Sequence, residues 1–196
     1  HQELPGSDEP MMKRRQVVEQ LLANRDGLLV VAGLGSTAWD ITAAGDHDLS
    51  FTMWGAMGQA AMMGLGLALA QPKRRVLVIT GDGEMLMGLG SLATIGVQKP
   101  ANLSVVVIDN ERYGETGMQA THTASGIDLS GVARSCGFNI FSLEEAQEAI
   151  HRRAGPNFAA IKVVAEKIPL VLPPREGALL KARFRRALLG KDADAI

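Results

Sequence analysis

The sequence predicts an α/β fold: a doubly wound parallel sheet with helices on both faces. Three observations carry this. Short apolar runs alternate with stretches of helical spacing along most of the chain. The runs are uniformly apolar, not alternating, as strands covered on both faces require. Glycine is abundant, at 22 residues, while aromatic residues make up only 4%. That suits glycine-rich turns between strands and helices around a phosphate-bearing ligand, and not an aromatic-rich sandwich.

The elements follow in order. "MMKRRQVVEQLLANR" (11–25) has helical spacing at Val17, Val18, Leu21 and Leu22. "GLLVVAG" (27–33) predicts a buried strand. "STAWDITAA" (36–44) predicts a short helix with Ser36 as N-cap. Residues 45–55 predict a loop with at most a brief strand. "AMGQAAMMGLGLALAQ" (56–71) predicts a buried helix of small residues, and "RRVLVITG" (74–81) a strand. "EMLMGLGSLATIGVQ" (84–98) predicts one helix with Met85, Leu89, Leu92 and Ile95 on its inner face. "LSVVVIDN" (103–110) predicts a strand and 111–126 a long polar loop. A helix over 127–137 ends at Gly137, and "FNIFS" (138–142) is a short strand. Ser142 and Glu145 predict a capping box for a helix reaching Arg153. "NFAAIKVVA" (157–165) predicts the last strand and 168–174 an extended linker. Residues 175–189 form a basic amphipathic helix, expected to present Lys181, Arg183, Arg185 and Arg186 to solvent.

The 196 residues accommodate one domain with a full core plus a tail. Residues 1–10 are expected to be a disordered tail or an appendage foreign to the protein. Residues 11–174 are expected to form the folded domain, and 175–196 a C-terminal helix and tail. A net charge of −1 gives no basis for nucleic-acid binding. No apolar run is long enough to predict a membrane span. The single cysteine, Cys136, excludes an internal disulfide and fits a cytoplasmic protein; it is expected in the core.

Two residues then raise a chemical question. Asp82 follows one predicted strand and Asn110 ends the next, one crossover later. Neighbouring strands would bring a carboxylate and an amide oxygen to one sheet edge. Both are hard ligands suited to Mg²⁺, which completes its octahedron with phosphate oxygens and water. Gly81 and Gly83 let the backbone approach a phosphate, and the helix from Glu84 offers free N–H groups.

Here "GDG" (81–83) followed one crossover later by "DN" (109–110) resembles the signature of thiamine-diphosphate enzymes, where the pair is more often "NN". The resemblance spans roughly residues 28–165 and implies the diphosphate-binding (PP) type of the thiamine-diphosphate-binding fold. It implies Asp82, Asn110 and the Arg112 carbonyl as Mg²⁺ ligands, with Asp109 a departure. "MWGAMGQA" (53–60) resembles the segment that holds the aminopyrimidine. It implies Met57 as the wedge beneath the cofactor, with the Gly55 carbonyl and Met57 N–H as its hydrogen-bonding groups. "AGLGSTAWDI" (32–41) resembles the loop touching the diphosphate, with Ser36 the contact. The same stretch also fits a dinucleotide fingerprint, Gly33-x-Gly35-x-x-Ala38, but lacks the following strand with a terminal acid.

The run from Gly90 to Thr123 is most similar to the β subunit of sulfopyruvate decarboxylase and the matching part of phosphonopyruvate decarboxylase. A single cysteine gives no support to the iron–sulfur-linked ferredoxin oxidoreductases. The implied activity is decarboxylation of a three-carbon 2-oxoacid with an anionic group at C3. In this family a glutamate beside the pyrimidine comes from a second domain of similar fold, and no second copy is present here. The expectation is therefore a hetero-oligomer with a pyrimidine-binding α subunit. Acetolactate-synthase-like carboligation and a non-catalytic, cofactor-binding regulatory subunit are the alternatives. Tyr113 is expected near the metal loop. Thr116 occupies the place of a catalytic acid in some relatives, and Glu115 replaces the Ser of a family-like "YGSTG". Gln119, Thr121 and His122 are candidate substrate contacts. His47 and His151 are expected to be structural or solvent-facing.

Overall fold

The computed structural model describes residues 11–194; the expected tail over 1–10 lies outside the described residues. In chain order the elements begin α1 (Arg14–Leu21), β1 (Leu29–Ala32), α2 (Ser36–Ala43), β2 (Ser50–Thr52), α3 (Ala60–Ala70) and β3 (Val76–Gly81). Next come α4 (Asp82–Met87), α5 (Gly90–Gln98), β4 (Leu103–Asp109), β5 (Arg112–Tyr113) and β6 (Gln119–Ala120). The chain continues through α6 (Leu129–Ser135), β7 (Asn139–Ile140), α7 (Ala146–His151), β8 (Asn157–Lys162) and α8 (Gly177–Leu189).

Six strands form one parallel sheet in the order β2-β1-β3-β4-β8-β7. The chain runs outward from β1 to β2, then returns past β1 to start β3 and continues the other way. The order therefore reverses between β1 and β3, where open α/β sheets place ligands beyond the carboxyl ends of their strands. The central strands β1, β3 and β4 bury both faces, which explains their unbroken apolar runs. In β3, Leu77 and Ile79 join Val17, Leu21, Ile41 and Ile150 on one side. Val76 and Val78 join Leu65, Leu92, Ile95 and Phe158 on the other.

Several local expectations are corrected. The helix expected over 84–98 is two helices. It already begins at Asp82, placing Asp82 and Gly83 in its first turn, and it breaks at Gly88. Gly88 abuts the Gly58 backbone so closely that a Cβ would collide with the Gly58 carbonyl. The helix expected from 56 starts only at Ala60, because Ala56 and Gly58 hold φ of 59° and 88°. Ser36 is not an N-cap. Gly35 precedes α2 and no side chain caps it, while the Thr37 hydroxyl bonds the Gly33 carbonyl at 2.8 Å. Glu145 accepts from the Ser142 amide at 2.9 Å, yet α7 starts at Ala146 without a capping hydroxyl. The loop over 111–126 contains the β5–β6 hairpin and a 3₁₀ turn at His122–Ser125.

The last helix is not simply a solvated basic face. Phe184 is buried against Phe51, their rings 5.8 Å apart, and Arg183 bonds both Asp46 oxygens at 2.6 and 2.8 Å. Trp54 Nε1 donates to the Pro174 carbonyl at 2.9 Å, fastening the segment before this helix. Cys136 is half-buried against the core. His47 is exposed, and its Nδ1 accepts from the Leu49 amide.

Candidate functional site

Strands β3 and β4 are hydrogen-bonded neighbours with Gly81 opposite Ile108. Asp82 leaves the first and Asn110 the second at the same sheet edge. A cleft of about 150 Å³ opens there, bordered by Ser36, Met57, Gly81, Asp82, Gly83 and Asn110. The β5–β6 hairpin adds Arg112, Tyr113, Glu115 and Thr116, and Glu84 and Arg14 also line it. Gly55 is exposed and lies outside the lining, as do Gln119, Thr121 and His122.

Asp82 is 2% exposed, and its Oδ2 accepts from the Thr121 hydroxyl at 2.6 Å, with the Thr123 hydroxyl, whose proton goes to Asp109, 3.3 Å away. Burial raises its pKa above the ordinary carboxylate range; the Thr121 bond opposes this and the charge of Asp109 adds to it. Both hydroxyls lie beside Oδ2, and no side chain among the described residues donates to Oδ1. Asn110 Oδ1 accepts from the Arg112 amide at 3.0 Å, which orients the amide group.

Asp109 carries an explanation for its departure from Asn. Its Oδ1 takes the Thr123 hydroxyl at 2.8 Å and the Glu111 amide at 3.1 Å, and Lys162 lies 2.9 Å from Oδ2. A second buried carboxylate beside Asp82 is thus compensated by a lysine from the neighbouring strand.

Glu84 does not offer itself to a ligand. Its Oε2 accepts from Thr80 at 2.9 Å and the Leu34 amide at 3.2 Å, and its Oε1 from the Ala60 amide at 3.4 Å. Burial pushes its pKa up against these bonds. It ties the loop after β1 and the start of α3 to α4. A Cβ at Gly33 would collide with this carboxylate, so Gly33 makes room for Glu84 and not for a pyrophosphate. The dinucleotide fingerprint fails for that reason. Tyr113 lies against Gly83, and Thr116 and Gln119 bond each other, hydroxyl to amide oxygen, at 3.0 Å.

The donor set fits a hard cation. The side-chain oxygens of Asp82 and Asn110 at one cleft are of the kind Mg²⁺ selects. Among the described residues no three His, Cys, Asp or Glu side chains converge as a metal cage. Such a site needs phosphate and water oxygens for its remaining positions.

Residues 34–163 match the family described as thiamine pyrophosphate enzyme, C-terminal TPP binding domain. The chain belongs to this family. It is 41% identical over 186 residues to sulfopyruvate decarboxylase subunit beta of Methanothermobacter thermautotrophicus, covering 94% of this chain and 100% of that protein. It is 41% identical over 152 residues to phosphonopyruvate decarboxylase of Streptomyces viridochromogenes, covering 74% of this chain but only 38% of that protein. Benzoylformate decarboxylase from Polynucleobacter necessarius shares the fold with a TM-score of 0.65 at 20% identity, over 85% of this chain and 36% of that one.

In and around this TPP-binding domain, sequence reasoning missed three groups. Thr80 and Thr123 serve buried carboxylates, and only the alternation Thr121-x-Thr123 hinted at the second. Arg14 reaches the cleft from α1, outside the matched residues, and carried no local signal.

Proposed function

We propose that the chain is the diphosphate- and Mg²⁺-binding subunit of a two-subunit, thiamine-diphosphate-dependent 2-oxoacid decarboxylase. The substrate class is a three-carbon 2-oxoacid with an anionic group at C3, as the names of its relatives suggest. The observation that carries this is the convergence of Asp82 and Asn110 from adjacent strands into one cleft with Ser36 and Met57.

When bound, thiamine diphosphate supplies the electron sink that decarboxylation of a 2-oxoacid requires. Asp82, Asn110 and the Arg112 carbonyl would hold Mg²⁺ and through it the diphosphate, with Ser36, Gly81 and Gly83 close by. Met57 would wedge beneath the cofactor, and the Gly55 carbonyl and Met57 N–H would fix its aminopyrimidine. Tyr113 supports the metal loop. Glu115, Thr116 and Gln119 occupy the hairpin facing the substrate side, where Thr116 and Gln119 orient one another.

The activating glutamate comes from a partner, a pyrimidine-binding α subunit. Two observations support this. The cleft's one buried glutamate, Glu84, is engaged by three donors, and Glu115 stands exposed beside Gly35 on the hairpin. The cleft of about 150 Å³ is also smaller than the ~300–1,000 Å³ of complete small-molecule sites. The functional unit is a hetero-oligomer, and the single cysteine favours a cytoplasmic setting. No helix among the described residues is long and apolar enough to cross a membrane.

Co-expression with the partner subunit, followed by a panel of 2-oxoacids with thiamine diphosphate and Mg²⁺, tests the reading. Sulfopyruvate or phosphonopyruvate should be turned over, and the isolated chain should be inactive. Robust turnover by the isolated chain would overturn the partner requirement. Absence of cofactor binding by the complex would overturn the whole reading.

A further inference from the structure

Arg14 presents a physical anomaly. It is 6% exposed and lines the cleft of Asp82 and Asn110. Its Nε stands 3.1 Å from Asp40 Oδ2, but the N–H is not directed along that line, and neither atom has a hydrogen bond. The terminal nitrogens of Arg14 find no protein acceptor among the described residues either, but unlike Nε they are not sealed from solvent. Buried guanidinium groups are ordinarily saturated with acceptors, because an unmet charged donor is costly.

Asp40 cannot neutralise the site. It is 1% exposed and is shared with Arg15, whose Nε donates to Oδ1 at 3.2 Å and whose terminal nitrogen bonds the Pro169 carbonyl at 3.0 Å. Two guanidiniums on one carboxylate leave one positive charge, and Arg14 is the member that borders the cleft. Glu115 and Glu166 border an adjoining hollow with Arg14, yet neither bonds it. A planar fork of charged donors, prealigned by a buried carboxylate and lacking acceptors, matches a phosphate-like oxyanion.

We propose that Arg14 is an oxyanion-binding residue of this cleft, completed by a phosphate-like group of the cleft's occupant. Two sources share that chemistry: the diphosphate of the cofactor and the anionic group at C3 of the substrate. The assignment of those occupants rests on the function proposed above, whereas the anion site itself does not.

Calorimetry on the full chain with two probes decides the matter: inorganic pyrophosphate with Mg²⁺, and 3-phosphonopropionate. Arg14→Gln should weaken binding of one of them by about 10- to 100-fold, and Arg14→Lys should recover part of the loss. A loss confined to pyrophosphate assigns Arg14 to the diphosphate; a loss confined to 3-phosphonopropionate assigns it to the substrate anion. Asp40→Asn releases Arg14 from its counter-charge and should tighten the same probe, whereas a purely structural ion pair predicts that it loosens. This variant keeps the test intact should Arg14→Gln fold poorly. Equal affinities in wild type and Arg14→Gln, or no binding of either probe to wild type, would overturn the proposal. A chain that binds pyrophosphate through Arg14 but refuses thiamine diphosphate would overturn the cofactor reading and leave the anion site standing.

Discussion

The two edges of the sheet both bury polar groups, but they treat them differently. At the amino ends of the strands Asn102, Arg75 and Asn157 are saturated largely by backbone, although Arg25 and His151 keep buried nitrogens without a partner. Asn102 Nδ2 reaches the carbonyls of Ala68, Gln71 and Arg74 at 2.8–3.1 Å. Arg75 bonds the carbonyls of Ile150, Ala149 and Arg153 at 2.6–3.0 Å. Asn157, fully buried, donates to the Ala149 carbonyl at 3.0 Å. At the carboxyl ends Asp82 keeps an oxygen without a side-chain donor, and Arg14 keeps donors without acceptors. At one edge Asn102, Arg75 and Asn157 close their hydrogen bonds within the chain and so hold the fold. The other leaves them open, and open valence in a buried place is what a ligand can satisfy.

Mutations at the two edges should therefore separate binding from stability. The largest effect is expected at Asp82. Asp82→Ala should abolish Mg²⁺-dependent binding of thiamine diphosphate by calorimetry while leaving stability within about 1 kcal/mol of wild type, because the removed carboxylate was itself costly to bury. Unchanged affinity in the folded variant would end its assignment as a metal ligand. Asn102→Ala should do the reverse. It strips the amide's two donors from a cluster of three carbonyls and should cost about 2–3 kcal/mol in a denaturant titration, with cofactor affinity preserved. A loss of affinity with unchanged stability would erase the contrast between the edges.

Met57→Ala sharpens the comparison inside the binding edge. The side-chain volume disappears while the backbone groups and the Asp82–Asn110 pair stay. In the complex assembled with its partner, kcat should fall about tenfold, equivalent to ~1.4 kcal/mol of barrier, with a smaller change in cofactor affinity. Full kcat would reduce Met57 to core packing.

The smallest effect belongs to the rim, away from both edges. Hydrogen bonds from Arg183 lower the Asp46 pKa below its ordinary value. A carboxylate with a depressed folded pKa contributes stability above the unfolded value near ~3.9 and loses it as pH falls through the folded one. Hydrogen exchange in α8 should accordingly rise on acidification through that window, slightly, since Asp46 is solvent-exposed. Asp46→Asn should remove this component of the pH dependence. An identical acid profile in the variant would show that the pair does not dock the helix.

The strands, their parallel arrangement and the meeting of Asp82 with Asn110 were legible because they depend on local apolar runs and one crossover. Thr121 and Thr123 were harder to read, since their contacts with Asp82 span about forty residues. The break at Gly88 was illegible for the same kind of reason: its cause, Gly58, lies thirty residues upstream. Arg14 was legible only as the flank of an amphipathic helix. What makes it distinctive is Asp40, which periodicity within α1 cannot reveal. The capping errors at Ser36 and Ser142 have a different origin. A hydroxyl at a helix start signals capping capacity, but Gly35 and Glu145 set the actual boundaries.

The contact between Gly58 and Gly88 has a consequence for how this protein can vary. Neither residue carries a functional group, yet a side chain on Gly88 would drive apart the Met57 turn and the helix that begins with Asp82. In a saturation library selected for activity, Gly88 should tolerate no replacement, and Gly58, held at φ 88°, few. Such a map would show one blank and one nearly blank column beside chemically silent backbone, about as restrictive as the column for Asp82. Drift in this lineage would be confined by a point where two main chains touch.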